Sequence, residues 1–413
     1  MTSRRAFLKS SGVALFSLGF TAIPEFVAKA ALATYNQTTR KKVLVCVFQR
    51  GAMDGLMAVS PFTDSNFTNA RNRLRMSVGG ENGLIDLDGR FAFHPAFKPF
   101  KPLYDSKQLA IVHGIGSPDT TRSHFDAQDF MENGTPGKKS DTGWLNRATS
   151  KLKGTASPFQ SVAFTSALPL SMIGPATTLA VDDLRNFNVK VPGATSLMQS
   201  STAESFESLY EQTSQELLRN NGKESFEAVR MLQSLNAQNY RPAAQYPQSP
   251  LANHLKQVAF LTKNSVGLEI AFVESTGWDT HVQQGTVNGQ FSRVAADLSQ
   301  SIAAFWNDIE QHHDDVAVLT MTEFGRTVKE NGSGGTDHGR GSCMFVLGNA
   351  VAGGKVYGNV PQLAPENLAD GRDLPVTTDF RALFTDVATN HLHINNAASL
   401  FPAWSGSPTN VFK

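Results

Sequence analysis

Glu323, Arg326, Asp337, His338 and Arg340 fall within one stretch, residues 316–342 (VAVLTMTEFGRTVKENGSGGTDHGRGS), and bring carboxylates, an imidazole and two guanidinium groups into one loop. Mixed oxygen and imidazole donors suit zinc or manganese better than calcium. The arginines are of the kind that clamps a phosphate or sulfate bidentately. Three further clusters carry related groups: Asp54 in QRGAMDG, Ser123 with His124 and Asp126 in RSHFD, and Asp279 with His281 in GWDTH. A divalent ion held by such groups can polarise an ester oxygen and lower the pKa of a bound nucleophile. Asp279 and His281, two residues apart, can bite one ion or two ions side by side. Ser123 opens a helical pattern, so its hydroxyl has backbone N–H groups beside it that can hold a phosphate or sulfate. The candidate residues are therefore Asp54, Ser123, His124, Asp126, Asp279, His281, Glu323, Asp337 and His338, with Arg122, Arg326 and Arg340 able to clamp an oxyanion.

Each cluster follows an apolar run: residues 43–48, 109–112, 266–273 and 316–321. Such short, nearly unbroken runs mark strands buried on both faces of a parallel sheet. In open α/β sheets the ligand crevice lies beyond the carboxyl ends of the strands, so a parallel sheet lines all four clusters along one edge. Glycines 325, 332, 334, 335 and 339 leave the last loop free to approach an ion closely. Further short strands are expected at 162–164, 179–181 and 344–347. Helices are expected from Ser123 to Gly134, over 251–264, 289–312 and 378–392, and as two amphipathic segments within 201–236. Residues 201–265 read as a helical insertion, either a structural layer or a cover over the site, with 237–250 a proline-bearing connection.

The first residues are an address. Ser3-Arg4-Arg5-Ala6-Phe7-Leu8-Lys9 followed by an apolar stretch over residues 12–23 is a twin-arginine signal, with small-residue cleavage sites around 28–33. The stretch is too short and too rich in Ser, Gly and Ala to form a membrane span, which needs about 20 apolar residues. The organisation expected is a signal peptide over 1–33 and one folded domain over 34–413, delivered by the twin-arginine translocase to the periplasm or beyond. That route carries folded proteins, so a metal can be loaded before export. The chain is 40% hydrophobic and 18% charged, with a net charge of +1. No basic run follows the signal, which argues against nucleic acid as a partner. Cys46 and Cys343 sit inside apolar runs and read as buried, inert thiols.

The stretches FQRGAMDGL, SHFDAQDFMENGTPG, GWDTH, TEFGRT and GGTDHGRGS, behind a twin-arginine start, resemble the bacterial domain-of-unknown-function family fifteen-oh-one. That family is grouped with the alkaline phosphatase and sulfatase superfamily. The resemblance implies a three-layer α/β/α sandwich with a mostly parallel sheet, a one- or two-metal site, and phosphate or sulfate esters as substrates, small-molecule or glycan. Under it, Asp54 resembles the first metal-binding aspartate and Ser123 the nucleophile. Asp279 and His281 resemble the Asp/His pair of one metal site, with one residue between them where phosphatases have three. Glu323 resembles an acid that phosphatases follow with a histidine, where this chain has Phe324, and Asp337-His338-Gly339 resembles the late histidine motif. Two functional classes follow: an exported metal-dependent hydrolase or transferase, and a non-catalytic binding or assembly protein on the same fold.

Overall fold

The computed structural model describes residues 13–15, 40–154, 157–186, 227–232, 235 and 237–413. Arg4, Arg5 and residues 201–226 of the expected insertion lie outside the described residues.

Seven strands build the main sheet: β1 (Val43–Gln49), β2 (Leu109–Gly116), β3 (Ser161–Ala163), β4 (Leu179–Val181), β5 (Ile270–Ser275), β6 (Val316–Met321) and β7 (Ser342–Leu347). Their spatial order is β4-β3-β5-β1-β6-β7-β2. β1 is parallel to both neighbours, with Val45 opposite Val318 on one side and Ala271 on the other. Short two-residue strands extend the β2 edge, and Val13–Leu15, within the stretch read as leader, pairs antiparallel with β4 at the opposite edge.

The apolar runs are buried on both faces because helices cover both. Val43, Val45 and Val47 point into a core shared with α3 (Pro250–Lys263) and α4 (Gln290–Asp308). Leu44, Cys46 and Phe48 point the other way, into a core with α1 (His124–Asn133), α2 (Trp144–Thr149) and α5 (Phe380–Asn390). This is the three-layer α/β/α sandwich. α3 buries Leu251, Leu255 and Val258, so this part of the expected insertion is a structural layer. Both cysteines are buried and free, and burial pushes both thiols up.

Two sequence expectations shift. The strand expected from 266 starts at Ile270, because Gly267 turns the chain through a left-handed conformation (φ +84°). β7 runs antiparallel to both β6 and β2. β6 and β7 thus form a hairpin across the long loop of residues 322–341, whose two ends both lie at the site edge. β1, β2, β5 and β6 still share one direction, so the four candidate clusters emerge on the same edge.

Candidate metal centre

His124 owes its place to the ends of α1. Ser123 Oγ accepts the Asp126 N–H as N-cap, and Gly134 in a left-handed conformation closes the helix. This fixes His124 as the first helical residue at the β2 exit. Its Nδ1 lies 2.8 Å from Glu323 Oε1. Its Nε2 is buried and without a hydrogen-bond partner.

Glu323 is fully buried, and burial alone would push its carboxyl up. Hydrogen bonds from His124, from Gln128 Nε2 (2.9 Å) and from the Gly51 N–H (2.9 Å) outweigh that and hold it below its ordinary value. Gln128 is itself oriented, since its Oε1 accepts from Arg50 Nη1 at 2.9 Å, and Arg50 is paired with Glu132 and Glu274. His124 and Gln128, one helical turn apart, thus reach the same carboxylate from one face of α1.

His281 and His338 are set in the same manner. His281 Nδ1 lies 3.0 Å from Asp337 Oδ1, and His338 Nδ1 lies 2.8 Å from the Arg122 carbonyl. Their Nε2 atoms face each other at 2.8 Å. Asp279 completes the group, with Oδ2 3.7 Å from His124 Nε2 and Oδ1 3.3 Å from His281 Nε2. Burial pushes the Asp279 carboxyl up, but the Arg326 guanidinium at 2.6 Å and the nearby imidazoles hold it below its ordinary value. Burial lowers the His338 pKa, favouring the neutral imidazole that binds metal. One ligand atom each from His124, Asp279 and His338 lies within 4.8 Å of the others, as metal coordination requires. His281 adds a fourth donor within hydrogen-bond distance of His338.

The chemistry of this donor set fits a divalent transition metal. All three Nδ1 atoms face acceptors: two carboxylates and a backbone carbonyl. Neutral imidazoles with Nδ1–H turned toward those acceptors present Nε2 lone pairs to the middle of the group. Two such lone pairs 2.8 Å apart repel unless they share a proton, and a metal ion bound by both would hold them farther apart. Carboxylate or carbonyl acceptors behind imidazoles are the usual support of histidine metal ligands.

The other candidate residues are placed differently. Asp54 is buried in an ion pair with buried Arg71 (2.5 Å), accepts Gln284 Nε2 at 2.8 Å, and caps the short helix Gly55–Ala58. It takes no part in the His124/Asp279/His338 group. Glu323 and Asp337 stand behind histidines as acceptors for their Nδ1 atoms. Arg326 is fully buried and donates to the carbonyls of Gly51, Ala52, Trp278 and Thr336 as well as to Asp279, so it ties the loop backbone to the Asp279 carboxylate. Arg340 has donors to spare: Nη2 reaches the Pro118 carbonyl at 3.3 Å, and Nε has no partner. Arg122 is committed to Asp370 and Asp373. Phe324 stacks on His124 with centroids 5.0 Å apart and lies 5.1 Å from the His338 ring. It walls the site with carbon. His124 stands in the RSHFD cluster as a donor beside Ser123, and Gln128 one turn later shares its carboxylate partner, a pairing that an i, i+4 spacing on a helix can signal.

The loop is held tightly. Gly51 adopts φ +113°, and a Cβ there would lie 2.6 Å from the Asp279 nitrogen. A Cβ at Gly335 would overlap the backbone of Thr280 and His281. The loop's own ladder, Gly325 N–H to Arg340 O (2.8 Å) and Thr327 N–H to Asp337 O (2.9 Å), sets His338 opposite Arg326.

Fold and site together define an α/β sandwich with a histidine-rich candidate metal centre at the strand ends. Residues 110–400 match the family described as "protein of unknown function (DUF1501)", and the chain belongs to that family. No curated protein matches it. Among solved structures, it is similar to the C-terminal periplasmic domain of EcEptC from Escherichia coli in complex with Zn, at 10% identity over 75% of this chain and 73% of that one, with a TM-score of 0.34. It is also similar to the lipoteichoic acid synthase LtaP from Listeria monocytogenes, at 10% identity over 83% of this chain and 71% of that one, with a TM-score of 0.31. Likenesses this distant assign neither chemistry nor ligands to this chain.

Proposed function

We propose that this chain is an exported, metal-dependent hydrolase or transferase of phosphate or sulfate esters, of the alkaline phosphatase-like kind, acting at His124, Asp279, His281 and His338. The observation that carries the reading is the convergence of a ligand atom each from His124, Asp279 and His338, with His281 Nε2 beside the last two and every imidazole Nδ1 held from behind. A zinc or manganese ion bound there would polarise an ester oxygen and lower the pKa of the attacking group. Ser123, beside His124 at the start of α1, is the nucleophile in this reading. Its oxygen accepts a long hydrogen bond from the Asp126 N–H (3.5 Å), which leaves its own O–H unspent. Arg340, with free donors, takes the anionic oxygens of the ester. Phe324, with Ala52 and Ala127, keeps water from one side of His124.

The test is metal analysis of the folded mature protein, followed by assay against aryl and alkyl phosphate and sulfate esters beside Ser123→Ala. Metal at about one equivalent, with turnover that Ser123→Ala abolishes while keeping the metal, supports the reading. Metal without turnover of any ester favours the non-catalytic alternative. A metal-free protein that binds neither zinc nor manganese removes the metal-dependent reading and leaves the non-catalytic one.

The leader supports twin-arginine export to the periplasm or beyond, and no helix among the described residues is long and apolar enough to cross a membrane. Replacing Arg4 and Arg5 by Lys should hold the precursor in the cytoplasm. Efficient export of that double variant would remove the assignment.

A further inference from the structure

Phe125 is 85% exposed and Val282 is 60% exposed; with Val78 at 41% they are the exposed large apolar side chains among the described residues. Phe125 directly follows His124, and Val282 directly follows His281. Both imidazoles pack on the ring of His338, at centroid distances of 4.3 and 4.5 Å, so each apolar residue is the chain neighbour of a histidine in one donor cluster.

Neither side chain serves the fold. α1 buries Ala127, Phe130 and Met131, and at 100° per residue Phe125 falls on the opposite face of the helix from that stripe. Val282 sits in the loop after His281, beside Gln283 in a left-handed conformation (φ 45°). Scattered apolar side chains on a surface need no explanation. Two of three placed one residue from histidines of one candidate site are a different matter, because each shares its backbone anchor with a candidate ligand.

We propose that the ester taken at this site carries an apolar alcohol portion, an alkyl or aryl group gripped by Phe125 and Val282 while its anionic head meets the histidine cluster. This rests on the phosphate- or sulfate-ester reading above and narrows it from esters in general, glycans included, to amphiphilic ones. Burying the two side chains against a hydrocarbon returns the free energy that their exposure to water forfeits.

The experiment is calorimetric binding of methylphosphonate and octylphosphonate, and of the matching sulfonates, to zinc-loaded mature protein and to the double variant Phe125→Ser/Val282→Ser. Both positions are exposed, so the variant should fold, and its zinc content checks that the cluster is intact. Wild type is expected to bind an octyl probe at least tenfold more tightly than its methyl counterpart, and the double variant to narrow that ratio to below about threefold. An octyl probe that binds no better than methyl, or a preference that survives in the double variant, overturns the inference while leaving the ester reading standing. If no probe binds wild type, the ester reading fails and this inference fails with it. Co-sedimentation with phosphatidylcholine vesicles carrying phosphatidic acid separates the sources. Sedimentation lost in the double variant points to a lipid ester, and octyl preference without sedimentation points to a soluble one; either outcome supports an apolar alcohol.

Discussion

His281 and His338 face each other Nε2 to Nε2 at 2.8 Å, while the Nδ1 of each is turned to an acceptor, Asp337 Oδ1 for the first and the Arg122 carbonyl for the second. With both outer nitrogens protonated, the inner lone pairs repel unless they share a proton or draw apart onto a metal ion. If the pair keeps a shared proton and takes no metal, added metal leaves the stability unchanged.

His338→Ala separates the two cases. Ligand binding to the folded state stabilises by about 2.7 kcal/mol when the free metal is 100 times its dissociation constant. Wild type should therefore melt several degrees higher with zinc or manganese than with chelator, and His338→Ala should lose most of that gain. With chelator present the two proteins should differ by only about 1 kcal/mol, the worth of the lost bond to the Arg122 carbonyl. Equal destabilisation in metal and in chelator would retire His338 as a ligand.

Glu323 should control metal affinity without touching the metal. As a carboxylate it can only accept, which forces the His124 proton onto Nδ1 and leaves Nε2 free to ligate. In Glu323→Gln the amide can donate to Nδ1, moving the proton to Nε2. Loss of such a supporting acceptor typically costs 10–100-fold in metal affinity. Competition against a chromophoric chelator should show a loss of that size, and unchanged affinity would mean that His124 is not a ligand.

The sheet was readable because strands covered on both faces carry unbroken apolar runs, as in VLVCVF and VAVLTM. The direction of β7 was not, since a buried run reads the same whether its neighbours are parallel or antiparallel. Placing the candidate site at the strand exits followed from the same logic. Assigning the carboxylates did not: an acid beyond a strand end looks the same in sequence whether it meets an ion, as Asp279 can, a histidine, as Glu323 does, or a buried guanidinium, as Asp54 does. Arg71 lies in a turn-rich stretch with nothing local to mark it as the partner of Asp54. Contacts of that kind are decided by tertiary packing.

Stability should fall on mild acidification for reasons unrelated to the site. Burial drives the pKa values of His94, His113 and His391 from 6.5 down to about 4. In the unfolded chain these groups protonate near pH 6.5, so between about pH 6.5 and 4 the unfolded state binds more protons than the folded one. The stability they contribute is complete above pH 6.5 and is lost as pH falls toward 4, roughly 3 kcal/mol for each group at about 1.4 kcal/mol per pKa unit. Urea midpoints measured with chelator between pH 7.5 and 4.5 should drop steadily over that window. A flat profile would show that these imidazoles are not held neutral by burial.

The Asp54–Arg71 pair gives the sharpest contrast between a residue of the fold and a residue of the site. Arg71 is 1% exposed and gives Asp54 both of its Nη atoms, at 2.5 and 3.1 Å, while its remaining donations go to the carbonyls of Thr327 and Val328. Asp54→Asn keeps the side-chain size and leaves the guanidinium buried without a countercharge, a change that costs roughly 3–5 kcal/mol when one partner of a buried pair is removed. The loss should be the same with chelator and with saturating zinc. The protein that remains folded at low temperature should bind zinc with wild-type stoichiometry, because His124, His281, His338 and Asp279 are untouched. Were Asp54 a ligand, the destabilisation would appear chiefly with metal present and the stoichiometry would fall. Thermal unfolding in both conditions, together with metal analysis of Asp54→Asn, decides between the two roles.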